Sequence, residues 1–455
     1  MGHVDLYLAE LSRSIDAAEL GRRIRTARVA AGMTQAQVAA DDVSAAYLSR
    51  IEDGQRRPEA GLLERMAGRM GVSLEDLLLN VPRDRVQELR LAVDYAELSL
   101  VSGDGAAALK AVDKVLADEA VANVPPVLRA AKQVRAGALE VTGDLDAAIV
   151  LLEDLTSTPE PDANWLKALI ALSRCYRDNG DFARAISVGE QAQATIDELG
   201  LSGLTEAIQL TVTTAGAYLA QDDNSKAMQI CLRALEAAEK HDSAIGKASA
   251  YWNASIAEAQ RGATSAAIEL AQKALRYFEA SDDNRNLANL RMQIGNLYLQ
   301  QDPPDADGAL AILGTMEQEL TWSGGSASDL SFLQLLLGRA HLLRGDFDLA
   351  HTCADRAIEL RPATESILEA HALVLKGRIA FATGDRDGAR SLFQSGVLSL
   401  TAVGADRTAG QLWFELADLL AVVGDHEGAV QAFRSAGAST GLRRSSGASA
   451  ALQKS

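Results

Sequence analysis

Apolar positions recur three and four residues apart along most of this chain, the spacing of helices buried on one face, so the fold is predicted to be all-α. Near the N-terminus Leu20, Ile24, Ala27 and Ala31 share a face of a first helix that Gly32 stops. Thr34 then stands at an N-cap position with Gln37 three residues on, which predicts a capping box and a short second helix over 35–40. Asp41 and Asp42 make the turn, Ser44 caps a third helix running through Glu52, and Gly54 ends it. Pro58 is expected to open a fourth helix with Leu62, Leu63, Met66 and Met70 in its core. Ser73 with Asp76 caps a fifth that carries Leu74, Leu77 and Leu78. Val4, Leu8 and Leu11 also share a helical face, so the segment before Glu19 is expected to be a helix that packs on something.

From about residue 90 the pattern repeats itself. A small residue recurs at Ala108, Ala148, Ala185, Ala227, Ala267, Ala309, Ala350, Ala389 and Ala429, with spacings between 37 and 42 residues. Five residues before seven of these alanines stands a glycine (103, 143, 180, 262, 345, 384 and 424), and all but Gly262 are followed by Asp. Each unit therefore reads as helix, Gly-Asp turn, helix. The alanine falls where two helices approach too closely for a larger side chain.

Charge changes the picture in one place. The chain carries a formal −18, which argues against nonspecific binding of nucleic acid by the whole surface. Yet between Leu20 and Met70 nine arginines face six acids, so the one basic region coincides with the short helices. Any DNA contact is expected to be local to that end. Cys175, Cys231 and Cys353 are far apart in apolar helical segments, which predicts buried thiols of a reducing cytoplasm and neither disulfides nor a zinc pattern. The acidic first twenty residues do not read as a secretory signal, and no stretch approaches the ~20 apolar residues of a membrane helix.

The run Met33-Thr34-Gln35, then Tyr47-Leu48-Ser49-Arg50-Ile51-Glu52-Asp53-Gly54, Arg57-Pro58 and Gly71-Val72-Ser73 resembles the lambda-repressor-like (xenobiotic-response-element) helix-turn-helix family over about residues 19 to 80. The resemblance implies that Gln35, opening helix two, holds a phosphate, that Ser44 to Arg50 lie in the major groove, and that Arg28 pairs with Glu52. Physically, the helix N-termini at Thr34 and Ser44 offer N–H groups to phosphates, and Arg50 can reach guanine or a phosphate. Ala45 and Ala46 can meet thymine methyls, while Tyr47, Arg56 and Arg57 are expected to position the domain on the backbone. One departure stands out: the segment from Thr34 to Glu52 is a residue shorter than the family pattern, and Asp41-Asp42-Val43 replaces the glycine of the turn.

The unit Gly338-Arg339-Ala340-His341, Gly345-Asp346-Phe347, Ala350, Ala357, Pro362 resembles the tetratricopeptide repeat, and the likeness extends over about nine units. It implies a right-handed superhelix whose concave face is lined by the first helix of each pair. On that frame Arg174, Arg339, Arg378 and, with the Pro303-Pro304 turn as an insertion, Asn296 take one groove position. Lys167, Trp252, Asn253, Asn289, Gln293 and His371 lie nearby. Asn and Gln can bond both N–H and C=O of a peptide backbone and Arg can clamp a carboxylate, although polar residues on any solvated helix face would look the same. His341 falls between packed helices and reads as core.

The two resemblances together match the peptide-pheromone-sensing regulators of Gram-positive bacteria. What that implies is a homodimer on an inverted-repeat operator in double-stranded DNA, with a short peptide or other small effector in the repeat groove. No cofactor, metal or membrane partner is expected. No HExxH, Walker, GxSxG or GxGxxG motif is present and the six histidines are scattered, so catalysis is not expected. A protein-interaction scaffold, or a phosphatase-like enzyme acting on a signalling partner, remain as alternatives. The expected organisation is an N-terminal helical extension (1–18), the five-helix helix-turn-helix domain (19–80), a linker (81–87), the repeats (88–437) and a flexible tail (438–455). A Ser/Gly-rich loop over 323–328 is read as an insertion or a hinge.

Overall fold

In the computed structural model of the 455-residue chain, the described residues are 6–79, 81–280, 284–322, 325–362, 365–403 and 409–439. Every regular element among them is helical, and the chain divides into two compact units, Met1–Thr158 and Pro159–Ser455.

The first unit opens with α1 (Leu6–Ser14), α2 (Ala17–Ala30), α3 (Gln35–Ala39), α4 (Ala45–Glu52), α5 (Ala60–Arg69) and α6 (Leu74–Leu79). Local capping explains the boundaries. Asp16 accepts from the N–H groups of Ala18 and Glu19 to start α2, Thr34 and Gln37 form the reciprocal box on α3, Ser44 accepts from the Tyr47 N–H on α4, and Ser73 with Asp76 does the same for α6. The fourth expected helix begins at Ala60, so Pro58 precedes it instead of opening it. The core joins Leu20, Ile24, Val38, Leu48, Ile51, Leu63, Met66 and Leu77, with Leu8 and Leu11 of α1 packed on its edge. The N-terminal helix thus does pack, while Val4 lies outside the described residues.

The expected linker over 81–87 is not one. Val81 and Val86 are buried with Leu79, Leu89, Val112 and Val127, and residues 83–87 form the first turns of α7 (Arg83–Val101). That helix pairs with α8 (Gly105–Leu116), and α9 (Pro125–Thr142) with α10 (Leu145–Thr156). The second unit continues with α11 (Ala163–Asp178) and α12 (Phe182–Glu198), α13 (Thr205–Ala220) and α14 (Asn224–Lys240), and α15 (Ala244–Gln260) and α16 (Thr264–Phe278). It goes on through α17 (Asn284–Gln300), α18 (Ala306–Leu313) and α19 (Met316–Trp322), then α20 (Ala327–Arg344) with α21 (Phe347–Leu360), α22 (Ser366–Ala382) with α23 (Arg386–Val403), and α24 (Gly410–Val422) with α25 (His426–Ser439). Among the described residues that makes nine hairpins, one of them, α17–α18, extended by α19.

The turn chemistry is the one the repeat implied. The seven glycines close the first helix of their hairpins at φ between 79° and 93°, a region where a Cβ is strained. In the α13–α14 turn, which lacks glycine, Asp222 takes the same position at φ 63°. The following Asp side chain then caps the second helix, as Asp104, Asp144, Asp181, Asp385 and Asp425 do. All nine repeat alanines are at most 4% exposed, which fits their place at the helix crossing.

Two expectations about the repeats need correction. Ser326 caps α20 and residues 327–328 are already helical, so the loop read over 323–328 is shorter; 323–324 lie outside the described residues. His341 is not core but half-buried, with Nδ1 3.4 Å from Asp346 Oδ2. Of the expected tail, 438–439 end α25 and 440–455 lie outside the described residues. None of the three cysteines is in a disulfide; Cys175 and Cys231 are buried as expected, Cys353 is only half-buried, and burial pushes the Cys231 thiol up to about 12. No described helix is long and apolar enough to cross a membrane.

Candidate nucleic-acid interface and repeat-face site

In the first unit the position of α4 is set from behind. Glu52, at its C-terminal end, is 6% exposed and accepts from Arg28 Nε at 2.6 Å, Arg28 Nη2 at 3.1 Å and Gln35 Nε2 at 2.9 Å. Burial pushes the Glu52 carboxyl upward, and the bonds from Arg28 and Gln35 overcome it, holding it below the usual carboxylate range. Arg28 also donates to the Met33 carbonyl at 2.9 Å, so one guanidinium ties α2, α4 and the turn before α3 together. The helices cross so closely at this point that a Cβ on Gly21 would lie 2.5 Å from the Ile51 carbonyl oxygen. Sequence reasoning passed over Gly21; a glycine directly beside a buried leucine in a helix was the available signal.

The shortened turn between α3 and α4 is held by side chains in place of the missing glycine. Ala40 sits at φ 43°, Arg69 Nη1 donates to the Val38 carbonyl at 2.7 Å, and Asp42 is paired with both Arg65, at 2.9 Å, and Arg69. The hydrogen bond from Arg69, with that from Arg65, keeps the Asp42 carboxyl below its usual range.

Of the nine candidate DNA contacts, Thr34 and Ser44 act as N-caps, Ala46, Arg50 and Arg56 are exposed, and Ala45 and Tyr47 are half-buried. The Arg50 guanidinium has no partner among the described residues. Two candidates are placed differently from the expectation. The Gln35 amide points inward onto Glu52. Arg57 is spent on the C-terminal end of α1, donating to the carbonyls of Ser12 (2.5 Å), Arg13 (2.9 Å) and Ile15 (2.6 Å). Those orphan carbonyls attract a cation that the sequence alone assigns to phosphate.

The ten groove candidates all lie in the second unit, and the structure sorts them. Lys167 is exposed, 3.9 Å from Glu206, and Arg174 on the same helix is half-buried. Trp252 Nε1 donates to Gln293 Oε1, and Gln293 Nε2 donates to Ser255 Oγ at 3.3 Å, so this pair satisfies itself. Asn253 donates to the Ser249 carbonyl of its own helix at 3.1 Å. Asn289, Gln293 and Asn296 share one face of α17.

The remaining three converge. Arg339, His371 and Arg378, from α20 and α22, line a small cavity of about 50 Å³ walled by Phe332, Leu335, Leu336, Val374 and Leu375. Arg339 Nη1 donates to Asn296 Oδ1 at 3.2 Å. The cavity's fourth polar group, Glu415 on α24, was not foreseen; it pairs with Arg378 at 2.6 Å. Burial lowers the Arg339 guanidinium from its ordinary value, with Glu415 opposing and Arg378 adding to the effect. Burial likewise pushes His371 down to about 4, Glu415 opposing and Arg339 reinforcing, which leaves a neutral imidazole at pH 7. Arg378 also lines a second, apolar pocket of about 360 Å³ with Leu342, Phe381, Phe393, Leu419 and Val422. A larger cleft of about 570 Å³, among α12, α13 and α14, contains none of the ten candidates.

Residues 19–79 match the helix-turn-helix domain family and residues 335–399 match the tetratricopeptide repeat family. The chain carries a helix-turn-helix domain ahead of tetratricopeptide repeats. No three of His, Cys, Asp and Glu gather as a metal site among the described residues. No curated protein matches the chain. Among solved structures it is similar to Bacillus thuringiensis PlcR in complex with the peptide PapR7 and DNA, at 17% identity and a TM-score of 0.39, over 60% of this chain and 99% of that one. It is also similar to a Rap protein complexed with competence and sporulation factor, at 14% identity and 0.49 over 91% and 96%, and to NprR in complex with its cognate peptide NprX, at 13% and 0.45 over 76% and 87%. All three scores are below 0.5.

Proposed function

We propose that the chain is a transcription regulator whose helix-turn-helix domain binds an operator through α4 and whose tetratricopeptide repeats hold an effector. The observation that carries this reading is the contrast on α4 itself: its C-terminal Glu52 is locked from behind by Arg28 and Gln35, while Arg50 is exposed and unpartnered. A rigid short helix that presents a free guanidinium beside small side chains, Ala45 and Ala46, is suited to entering a major groove, reading a guanine or a phosphate and touching thymine methyls. Thr34, Ser44, Tyr47 and Arg56 flank it as positioning contacts, and Gln35 acts by holding the helix and not by touching phosphate.

In the finer reading the protein is a homodimer on an inverted repeat, with half-sites about one helical turn or a multiple apart, and a short peptide or other small effector on the α11–α22 face alters the spacing of the two heads. Footprinting on the DNA upstream of the protein's own gene, at two salt concentrations and with or without a cell extract of small peptides, tests both levels. Protection of an inverted repeat that weakens steeply with salt and shifts with extract is the expected result. Arg50→Ala should abolish protection and leave repeat helicity unchanged. A folded, dimeric sample that protects nothing under any condition would overturn the DNA-binding reading and favour a protein-recruiting scaffold.

A further inference from the structure

The cavity between α20, α22 and α24 holds two guanidinium groups and one carboxylate. Glu415 is committed to Arg378 at 2.6 Å. Arg339 has only the neutral Asn296 amide, at 3.2 Å, and the Arg378 Nε is buried with no hydrogen-bond partner. His371 adds no negative charge. A guanidinium withdrawn from water whose nearest carboxylate is bonded to another cation is poorly compensated in the empty protein and becomes well compensated once a second carboxylate joins it. The cavity's volume of about 50 Å³ is of the order of one small polar group, too little for a phosphorylated sugar or a nucleotide.

Next to it, sharing Arg378, lies the apolar pocket of about 360 Å³ formed by the C-terminal ends of the same three helices and by Phe393 of α23. That volume falls in the range of small-ligand sites, and its walls are aliphatic and aromatic. We infer that the repeat face binds an apolar carboxylate, with the acid group on Arg339 and Arg378 and the apolar group in the pocket lined by Leu342, Phe381 and Val422. A short peptide ending in a large apolar residue and a medium-chain fatty acid share this chemistry. The inference rests on the repeats being the effector domain, and it is measured without DNA, so its failure and the failure of the DNA-binding reading are distinguishable.

Calorimetry on the full chain would compare four probes: Gly-Gly-Gly-Leu as the free acid, the same peptide as its C-terminal amide, octanoate, and acetate. The free acid or octanoate, or both, should bind at least tenfold more tightly than the amide and than acetate; which of the two binds identifies the source of the acid. Arg339→Gln should reduce that binding at least tenfold and abolish the discrimination against the amide. Val422→Trp, at an exposed position that does not threaten folding, should fill the apolar pocket and weaken the tight probe several-fold without changing the response to acetate. Peptide acid and amide binding with equal measurable affinity, no binding of either apolar acid, or indifference of the tight probe to Arg339→Gln in a folded variant would each overturn the inference.

Discussion

Glu52 in the helix-turn-helix domain and Arg339 in the repeats are both charges drawn out of water inside an α-helical scaffold, and they differ in how completely they are answered. Glu52 receives three hydrogen bonds, two of them from a cation. Arg339 donates one, to an amide oxygen, and faces a second guanidinium whose carboxylate partner is already engaged. A charge satisfied by its own chain fixes geometry, whereas a charge left short of a partner marks where a partner from outside would fit.

Three perturbations would sharpen or break this contrast. The largest effect is expected from Arg28→Ala, which strands a buried carboxylate with only Gln35: the helix-turn-helix domain should lose about 3 kcal/mol. Hydrogen exchange localised to α2–α5 would read it, and unchanged protection there would show that the triad does not hold the domain. Next comes acid. The His371 ring resists protonation when folded, at about 4 against an ordinary 6.5, with Glu415, Arg339 and Arg378 the charged groups around it. The unfolded chain therefore binds the extra proton first. Stability contributed by the neutral ring is present above about pH 6.5 and is lost as pH falls toward 4, by at most about 3 kcal/mol. His371→Leu should flatten that dependence in denaturant titrations of the whole chain, and an unaltered slope would place the acid sensitivity elsewhere. The smallest effect has the opposite sign. Arg339→Met removes an unanswered cation from apolar walls and should stabilise the second unit by up to about 1 kcal/mol, seen as a small rise in Tm. A clear loss of stability would mean that Arg339 serves the fold.

The helices and turns were readable because their determinants are local. The glycine five residues before each small alanine and the aspartate after it lie within one turn of the backbone they shape. The five helices of the N-terminal domain were legible for the same reason, down to the capping pairs Thr34–Gln37 and Ser73–Asp76. Partners brought together by tertiary packing were not. Arg57 meets carbonyls more than forty residues earlier in the chain, Gln35 meets a carboxylate seventeen residues away, and Glu415 joins Arg378 from the next hairpin. A repeat frame places side chains on a face and is silent about which of them neutralise one another. The residues read as a linker were missed because Val81 and Val86 are single apolar residues among charges, and only the neighbouring helices show that they are buried.

Arg57 carries a consequence for thermodynamic linkage. Three of its five N–H donors are given to the last carbonyls of α1. On the DNA-binding reading, a phosphate would have to share the guanidinium with that helix. Undocking the helix would then free the whole cation for the duplex and steepen the slope of log affinity against log salt by at most about one.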